Sequence, residues 1–566
     1  MGEGESALPP RSLETSSLQA HHLRSRVMLA GAAGCNVTLC RPTIATPRTR
    51  SMLCAGVVLA LAGCGGGGGD GGLPAVAPAS APTAASEVVS NAVSVVAVRP
   101  GLSPFIAFVD LQVAPGEVLS SAHYRIAPKP GSVSRPVDVD YDVTYLSRRG
   151  YAASPGTSGG TVTVPVFGLY ANYSNLVDID LQFADGDVDP IQAEVDTAAY
   201  SDPNGIYDRP QVLKARTSGE ALGFDFFYMK SGLGSPVVVD SDGQMRWVVP
   251  STMSSLASKL EANGFVIGDQ LAPRVRRLEL DGTVNDVSLL APDVTNFHHN
   301  IDPGKAGLLG DVDVVLNGVS NIESTLVEFD PSNGTLLKQW DLGDTLSRYM
   351  QAAGDDPTAF VRPGVDWFHM NAATYDPSDD SLIVSSRENF VVKIDYASGD
   401  LVWILGDPTK YWHTFPSLAA KSLTLGSGGL YPIGQHAVSI AHDGSLMLMN
   451  DGLGSINQPA GAPSGETRSY SAVSAYTIDA AGRTATEVRR FDDGQTVYSS
   501  VCSSAYEAAA DGSVLVDYAV ADNATHARLV GLDPGQNVVF DFEYATTGCN
   551  TSWNAQPIAF DAMRFQ

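Results

Sequence analysis

The sequence predicts an all-β protein: a six-bladed β-propeller preceded by a small N-terminal immunoglobulin-like β-sandwich. Two observations predict it. A strand, a Gly-containing turn and a second strand recur six times from about Gln211 onward, at Asp242-Gly243, Asp281-Gly282, Asn333-Gly334, Ser398-Gly399, Ala481-Gly482 and Pro534-Gly535, and Asp-Gly and Asn-Gly turns close hairpins because their residues tolerate positive φ. Three histidine motifs, Phe297-His298-His299-Asn300, Trp367-Phe368-His369-Met370-Asn371 and Gly434-Gln435-His436-Ala437, recur at intervals of about 70 residues, as when one structural unit is reused.

Composition agrees with this class. The chain has 566 residues, 44% of them apolar and only 17% charged, with 56 Gly and 34 Pro, enough for several domains with buried cores. The net charge of −27 disfavours nucleic acid and anionic membrane surfaces, which would repel it. An anionic substrate must therefore be drawn in by local positive charge. The six cysteines are too few and too scattered for a disulfide scaffold.

Taken in order, residues 1–64 read as a lipoprotein-type signal segment. Arg48 and Arg50 precede the apolar run Leu53 to Ala62, which ends in Leu61-Ala62-Gly63-Cys64; a short apolar run behind positive charge is too short to span a bilayer. The ending looks like a bacterial lipobox, with Cys64 as the lipidated first residue of the mature chain. That places the protein in the periplasm of a Gram-negative bacterium, held to the membrane by the lipid anchor only. Residues 65–87, rich in Gly, Ala, Pro and Ser, have nothing to bury and read as a flexible tether.

Residues 88–205 carry period-2 strands such as Val93–Val98, Val137–Tyr141, Thr161–Val164 and Leu176–Leu181, the pattern of a small antiparallel sandwich. Asp185, Asp187 and Asp189 read as a solvated turn, since EF-hand spacing and a closing Glu are absent.

Residues 206–566 form the expected propeller. In a four-stranded blade the innermost strand comes first and the hairpin last, so the three histidine motifs should stand at the entrances of innermost strands, facing the central channel. His369 is followed seven residues later by Asp376 and His436 by Asp443, while the same offset before Asp511 gives Ser504. Imidazoles gathered in one pocket suggest chemistry at sulfur, phosphorus or a metal. His123, His413, His442 and His526 have no such placement and are expected to be structural or at the surface.

The stretches Asp366-Trp367-Phe368-His369-Met370-Asn371, Ser385-Ser386-Arg387, Trp403-Ile404-Leu405-Gly406 and Gly434-Gln435-His436 together resemble the bacterial arylsulfate sulfotransferases, periplasmic enzymes that work without PAPS. The resemblance implies transfer of a sulfuryl group from an aryl sulfate donor to a phenol acceptor by a ping-pong route, with a histidine carrying the group and with no cofactor or metal. It implies His436 as nucleophile, and Arg387, Asn371 and His369 on the sulfuryl oxygens or the departing phenolate. It implies that one of His298 and His299 faces the pocket; His299, nearer the strand, is the one favoured, leaving His298 at the substrate-binding rim. Members of the family can be homodimers, and the oligomeric state is left open.

One departure stands out. The close cysteine pair that some members carry before the nucleophile is missing: Trp412 to Tyr431 contains no cysteine, and Cys502 and Cys549, at opposite ends of the last blade, are the only cysteines after Cys64; their pairing in an oxidising compartment is not legible from spacing. Two other readings remain: a zinc-dependent hydrolase or lyase on the same imidazoles and carboxylates, and a lipid-tethered anion-binding propeller without turnover.

Overall fold

The computed structural model describes residues 92–508 and 511–566. The signal segment, Cys64 and the tether lie outside the described residues. Within them the chain is nearly all-β, and no helix is long and apolar enough to cross a membrane.

Six antiparallel sheets form the blades of a propeller. From the innermost strand outward, blade two is Ser258–Glu261, Gly264–Gly268, Arg274–Glu279 and Val284–Ser288, and blade three is Val294–Pro303, Leu308–Leu316, Val319–Phe329 and Leu336–Asp341. Blade four is Met370–Asp376, Ser381–Ser386, Val391–Asp395 and Leu401–Leu405. Blade five is Gln435–Ile440, Leu446–Asn450, Ala472–Asp479 and Thr484–Phe491, with Thr424–Leu425 added in parallel at its outer edge. Blade six is Ser504–Glu507, Val514–Val520, His526–Leu532 and Val538–Ala545.

Blade one is closed by the far end of the chain. Ala555–Ile558 forms its innermost strand beside Phe226–Met229, Val237–Asp240 and Met245–Trp247, while Gln211–Lys214 extends the outer edge of blade six. All six expected hairpins join a third strand to an outermost one. At four of them the Gly takes the left-handed conformation, with φ of 80° at Gly243, 90° at Gly282, 74° at Gly334 and 72° at Gly399. At the other two the following residue does so, Arg483 at 53° and Gln536 at 65°. The turn there closes one residue later than the Gly suggests.

Six strands between Val93 and Asp196 form the N-terminal β domain. Its organising strand, Ile106–Ile126, is 21 residues long. Its first half pairs with Val93–Pro100 and Ser158–Phe167, and its second half with Val137–Asp142 and Ser174–Phe183. The break between halves falls at Pro115-Gly116, where Pro lacks a donor and Gly116 takes φ 109°. The last strand of the chain, Met563–Phe565, leaves the propeller and pairs in parallel with Val137–Asp142.

One hydrophobic core runs from this domain into the first two blades, through Val109, Tyr124 and Phe167 to Phe226, Trp247 and Phe265. Arg246 crosses the junction. Fully buried, it donates from Nε and Nη2 to the Gly168 carbonyl at 3.0 and 2.7 Å, pairs with Asp240 at 3.0 Å and lies 3.7 Å over the Tyr170 ring.

The segment that carries His369 is fixed by packing. The helix Leu342–Ala352 starts at Asp341, whose carboxylate accepts from Gly343 N and Asp344 N at 2.8 and 3.1 Å, a stabilising N-cap. It buries Leu342, Leu346 and Met350 in a cluster with Phe360, Trp367 and Phe368. Each such side chain contributes roughly 1.5–3 kcal/mol of burial.

Candidate active site

The three histidine motifs sit where innermost strands lose register with their neighbours. In blade three the pairing breaks between Phe297 and Ile301, freeing His298, His299 and Asn300; in blade four it breaks between Met370 and Ala372, and in blade five between His436 and Ser439. Non-glycine residues there take positive φ: His299 at 31°, His369 at 52° and Ala437 at 54°. Such backbone costs energy. Bulges re-aim side chains and recur beside active sites.

His299 is buried among positive neighbours. Its ring centre lies 4.7 Å from that of His369 and 4.9 Å from that of Trp553, and its Nδ1 is 2.9 Å from His298 Nδ1. Burial first, then the nearby His369, His298, His436 and Arg387, hold its pKa well below the ordinary imidazole value. It is a neutral ring at pH 7. His298 lies on its far side, 3.9 Å from Asp313, with a buried Nε2 that has no hydrogen-bond partner.

His369 is the opposite case. Burial opposes its charge, but Glu323 Oε2 and Asp366 Oδ2 both stand 2.7 Å from its Nδ1 and outweigh burial, pushing its pKa up to about 10. It is an imidazolium at neutral pH, and both of its nitrogens are donors.

His436 has its Nδ1–H directed at Gly434 O, 3.0 Å away, with Asp451 Oδ2 beside the same nitrogen at 2.7 Å. Asp451 is fully buried and both its carboxylate oxygens lack any other partner, Oδ2 lying close to Nδ1 but off the N–H axis. The Gly434 carbonyl makes Nδ1 the donor nitrogen and sets the ring orientation, with Nε2 on the opposite side of the ring.

Arg387 lies in the loop between the second and third strands of blade four, buried to 1% exposure, with its backbone N–H bonded to His369 O at 3.0 Å. Nη1 pairs with Glu388 Oε1 at 2.6 Å, and Glu388 is held in turn by the backbone N–H groups of Ile456 and Asn457 at 3.0 and 2.8 Å. Nη2 is buried without a partner. A buried donor left open next to His369 is suited to an anion oxygen. The expected local positive charge is thus half-compensated: what Arg387 presents is a directed N–H donor more than a free charge.

Asn371 joins blades four and five by donating Nδ2 to Gln435 O at 2.8 Å, and its Oδ1 is buried without a partner. His299, His369, His436 and Arg387 thus share one pocket, Asn371 braces its wall, and His298 stands one ring behind. Sequence reasoning assigned no role to Glu323, Asp366, Glu388, Asp451 or Trp553. Asp366 opens a quoted motif and Glu388 directly follows another, so both could have been found there; the other three come from strands and loops with no local signal. The cleft of about 650 Å³ between the N-terminal domain and blades one and two, lined by Leu102, Tyr200 and Leu233, contains none of these residues. The convergence of chemistry, rather than cavity size, marks the site.

At the pocket, two sets of side chains could hold a metal ion, His298, His299 and Glu323, and Glu323, Asp366 and His369. In the second the shared imidazole nitrogen Nδ1 already faces two carboxylates and carries a proton at pH 7, and a protonated nitrogen has no lone pair to give.

The cysteines pair: Cys502 and Cys549 form a disulfide with Cα atoms 6.2 Å apart. It joins the loop before the innermost strand of blade six to the loop before that of blade one, and the second loop carries Trp553.

Among solved structures, the chain resembles the Myceliophteria thermophila Cps50 (Swd1) β-propeller domain at 11% identity and a TM-score of 0.31, covering 58% of this chain and 88% of that one. It resembles the mitotic checkpoint complex at 10% identity and a TM-score of 0.28, covering 67% of this chain and 86% of that one. Likenesses this low carry no argument. In sequence, the chain is 25% identical over 511 residues to the arylsulfate sulfotransferase AssT of Escherichia coli O6:H1 (strain CFT073), covering 71% of this chain and 81% of that protein. The profile of the arylsulfotransferase (ASST) family matches residues 212–554, more than half of the chain and every blade that supplies a residue to the pocket. With that match, the protein belongs to the arylsulfotransferase family and is an enzyme of aryl sulfate sulfuryl transfer.

Proposed function

We propose that the enzyme works by a ping-pong route through an N-sulfo adduct on His436. The observation that carries this reading is a pairing of two differently held histidines: His436, whose Nδ1 is turned to Gly434 O and Asp451 so that Nε2 is the nitrogen left for sulfur, and His369, held as imidazolium by Glu323 and Asp366. The Nε2 lone pair of His436 attacks sulfur, the S–O(aryl) bond breaks with its electrons passing to the aryl oxygen, and His369 gives that oxygen its Nε2 proton. Departing phenols have pKa values near 10 in the unsubstituted case, close to that of His369, so the proton transfer is balanced in both directions. In the second half-reaction the acceptor phenol returns its proton to His369 as its oxygen attacks sulfur, and the S–N bond breaks with its electron pair returning to His436 Nε2. Arg387 Nη2 serves the sulfuryl oxygens, Asn371 braces the wall beside them through its bond to Gln435 O, and the Trp553 indole beside His299 offers a stacking surface for the aryl ring.

The same reading makes residues 1–64 the signal, Cys64 the lipidated residue, 65–87 the tether, 88–205 an immunoglobulin-like sandwich and 206–566 the catalytic propeller of a periplasmic, lipid-anchored enzyme that can pair as a homodimer. The test uses protein given aryl sulfate donor alone and quenched rapidly. Intact-mass and peptide analysis should find one sulfuryl group, on His436, absent from His436→Asn. An adduct on His299 or His369 sinks the assignment. Turnover abolished by a chelator and restored by zinc favours the metal-dependent reading instead.

A further inference from the structure

Away from the pocket, a second group of ligating side chains gathers on the rim of blade six. The loop after Val514–Val520 turns through three consecutive left-handed residues, Asp522, Asn523 and Ala524, with φ of 49°, 59° and 63°. It is tied at its base by the Ala521–His526 bridge and by Thr546 N–H donating to Thr525 O at 2.9 Å. This brings Asp522 Oδ2 to 3.7 Å from His526 Nδ1. Glu543, on the neighbouring strand, completes a set whose ligating atoms all lie within 4.8 Å of one another.

Glu543 is the second observation. It is only 9% exposed, and it turns a carboxylate oxygen toward Asp522 and His526. Its cross-strand neighbour Arg528 does not neutralise it. That guanidinium is bound to Asp541 through Nε at 2.9 Å and also faces Asp493 at 3.2 Å. Two carboxylates and an imidazole with ligating atoms this close, one carboxylate nine-tenths buried, suit a cation between them.

We propose that Asp522, His526 and Glu543 form a binding site for a single divalent zinc-class cation. An imidazole with two carboxylates is a borderline donor set that favours zinc over the hard ions calcium and magnesium. Ligands at about 2.1 Å around a tetrahedral zinc stand about 3.4 Å apart, close to the Asp522–His526 separation, and solvent at this rim supplies the fourth position. The site would tie the loop to the outermost strand of blade six, a stabilising role separate from sulfuryl transfer.

The test titrates chelator-treated full-length protein with zinc chloride by calorimetry, in parallel with His526→Ala and Glu543→Gln. Both side chains lie outside the catalytic pocket, and both variants should retain aryl sulfotransfer as a check on folding. Wild type should bind one more equivalent of zinc than either variant and show a zinc-dependent rise in its unfolding midpoint that both variants lack. Zinc captured by the pocket histidines would appear equally in all three proteins and cancel. Equal stoichiometry in all three overturns the site. So does a wild-type midpoint that responds to acidification but not to zinc, which would mean a shared proton alone. Calcium or magnesium binding with the same variant dependence would overturn the assigned ion class.

Discussion

The proposed route needs His436 to present Nε2 to sulfur, and the Gly434 carbonyl and the buried Asp451 carboxylate, both at Nδ1, orient the ring for that. Asp451→Asn should keep the fold but weaken this control, lowering kcat by between about 10- and 1000-fold. Rapid-quench formation of the His436 adduct is the measurement, and an unchanged rate would remove Asp451 from the mechanism. His369 gives a pH prediction with a definite sign. Its imidazole titrates near 6.5 in an unfolded chain and at about 10 in the fold. Its stabilising contribution is therefore complete below about pH 6.5 and is lost as pH rises through about 10. Proton donation to the leaving phenolate should persist over the same range, with an alkaline limb near pH 10 in kcat/KM. Glu323→Gln removes one of the two carboxylates holding the proton and should move that limb to lower pH; an unmoved limb argues against it. The histidines were legible because their motifs repeat and match a family pattern. Asp451 and Glu323 were not, since a carboxylate fifteen residues beyond His436, or on another blade, reaches its imidazole only through the fold.

Elements explain why these residues meet. Six hairpins were readable because Asp-Gly, Asn-Gly and their kin have a backbone reason to turn, and every one became the outer hairpin of a blade. The bulges that re-aim the histidines were not readable: nothing in Phe297-His298-His299-Asn300 says that pairing breaks there, because the break depends on the register of Leu308–Leu316. Nor was the strand Ile106–Ile126, whose Pro115-Gly116 reads locally as a strand end although pairing resumes beyond it on different neighbours. At the junction between the N-terminal domain and blade one, Arg246 is the element-level brace. Arg246→Ala leaves Asp240 buried without its cation and Gly168 O without its donors, and should cost about 3–5 kcal/mol in chemical denaturation. A loss under about 1 kcal/mol would show that the apolar core alone holds the two parts together.

At the scale of the whole molecule, the ring is closed by distant parts of the chain, Ala555–Ile558 in blade one and Gln211–Lys214 in blade six, with the Cys502–Cys549 disulfide across the loops between those blades. The pocket inherits the electrostatics of the entire chain as well. Its two cations, His369 and Arg387, face three carboxylates, Glu323, Asp366 and Glu388, and a fourth, Asp451, stands beside His436, so the site does not reverse the overall charge of −27. An anionic aryl sulfate therefore approaches against a repulsive field and is held only at contact, by directed donors such as Arg387 Nη2. Salt separates these two ranges, because the screening length falls from about 30 Å at 0.01 M to about 8 Å at 0.15 M ionic strength, while a buried contact is screened little. Raising ionic strength over that interval should increase kcat/KM for a small aryl sulfate and leave kcat nearly constant. A fall in kcat/KM would mean that His369 and Arg387 project an attractive field past their paired carboxylates, and that the pocket steers its substrate from a distance.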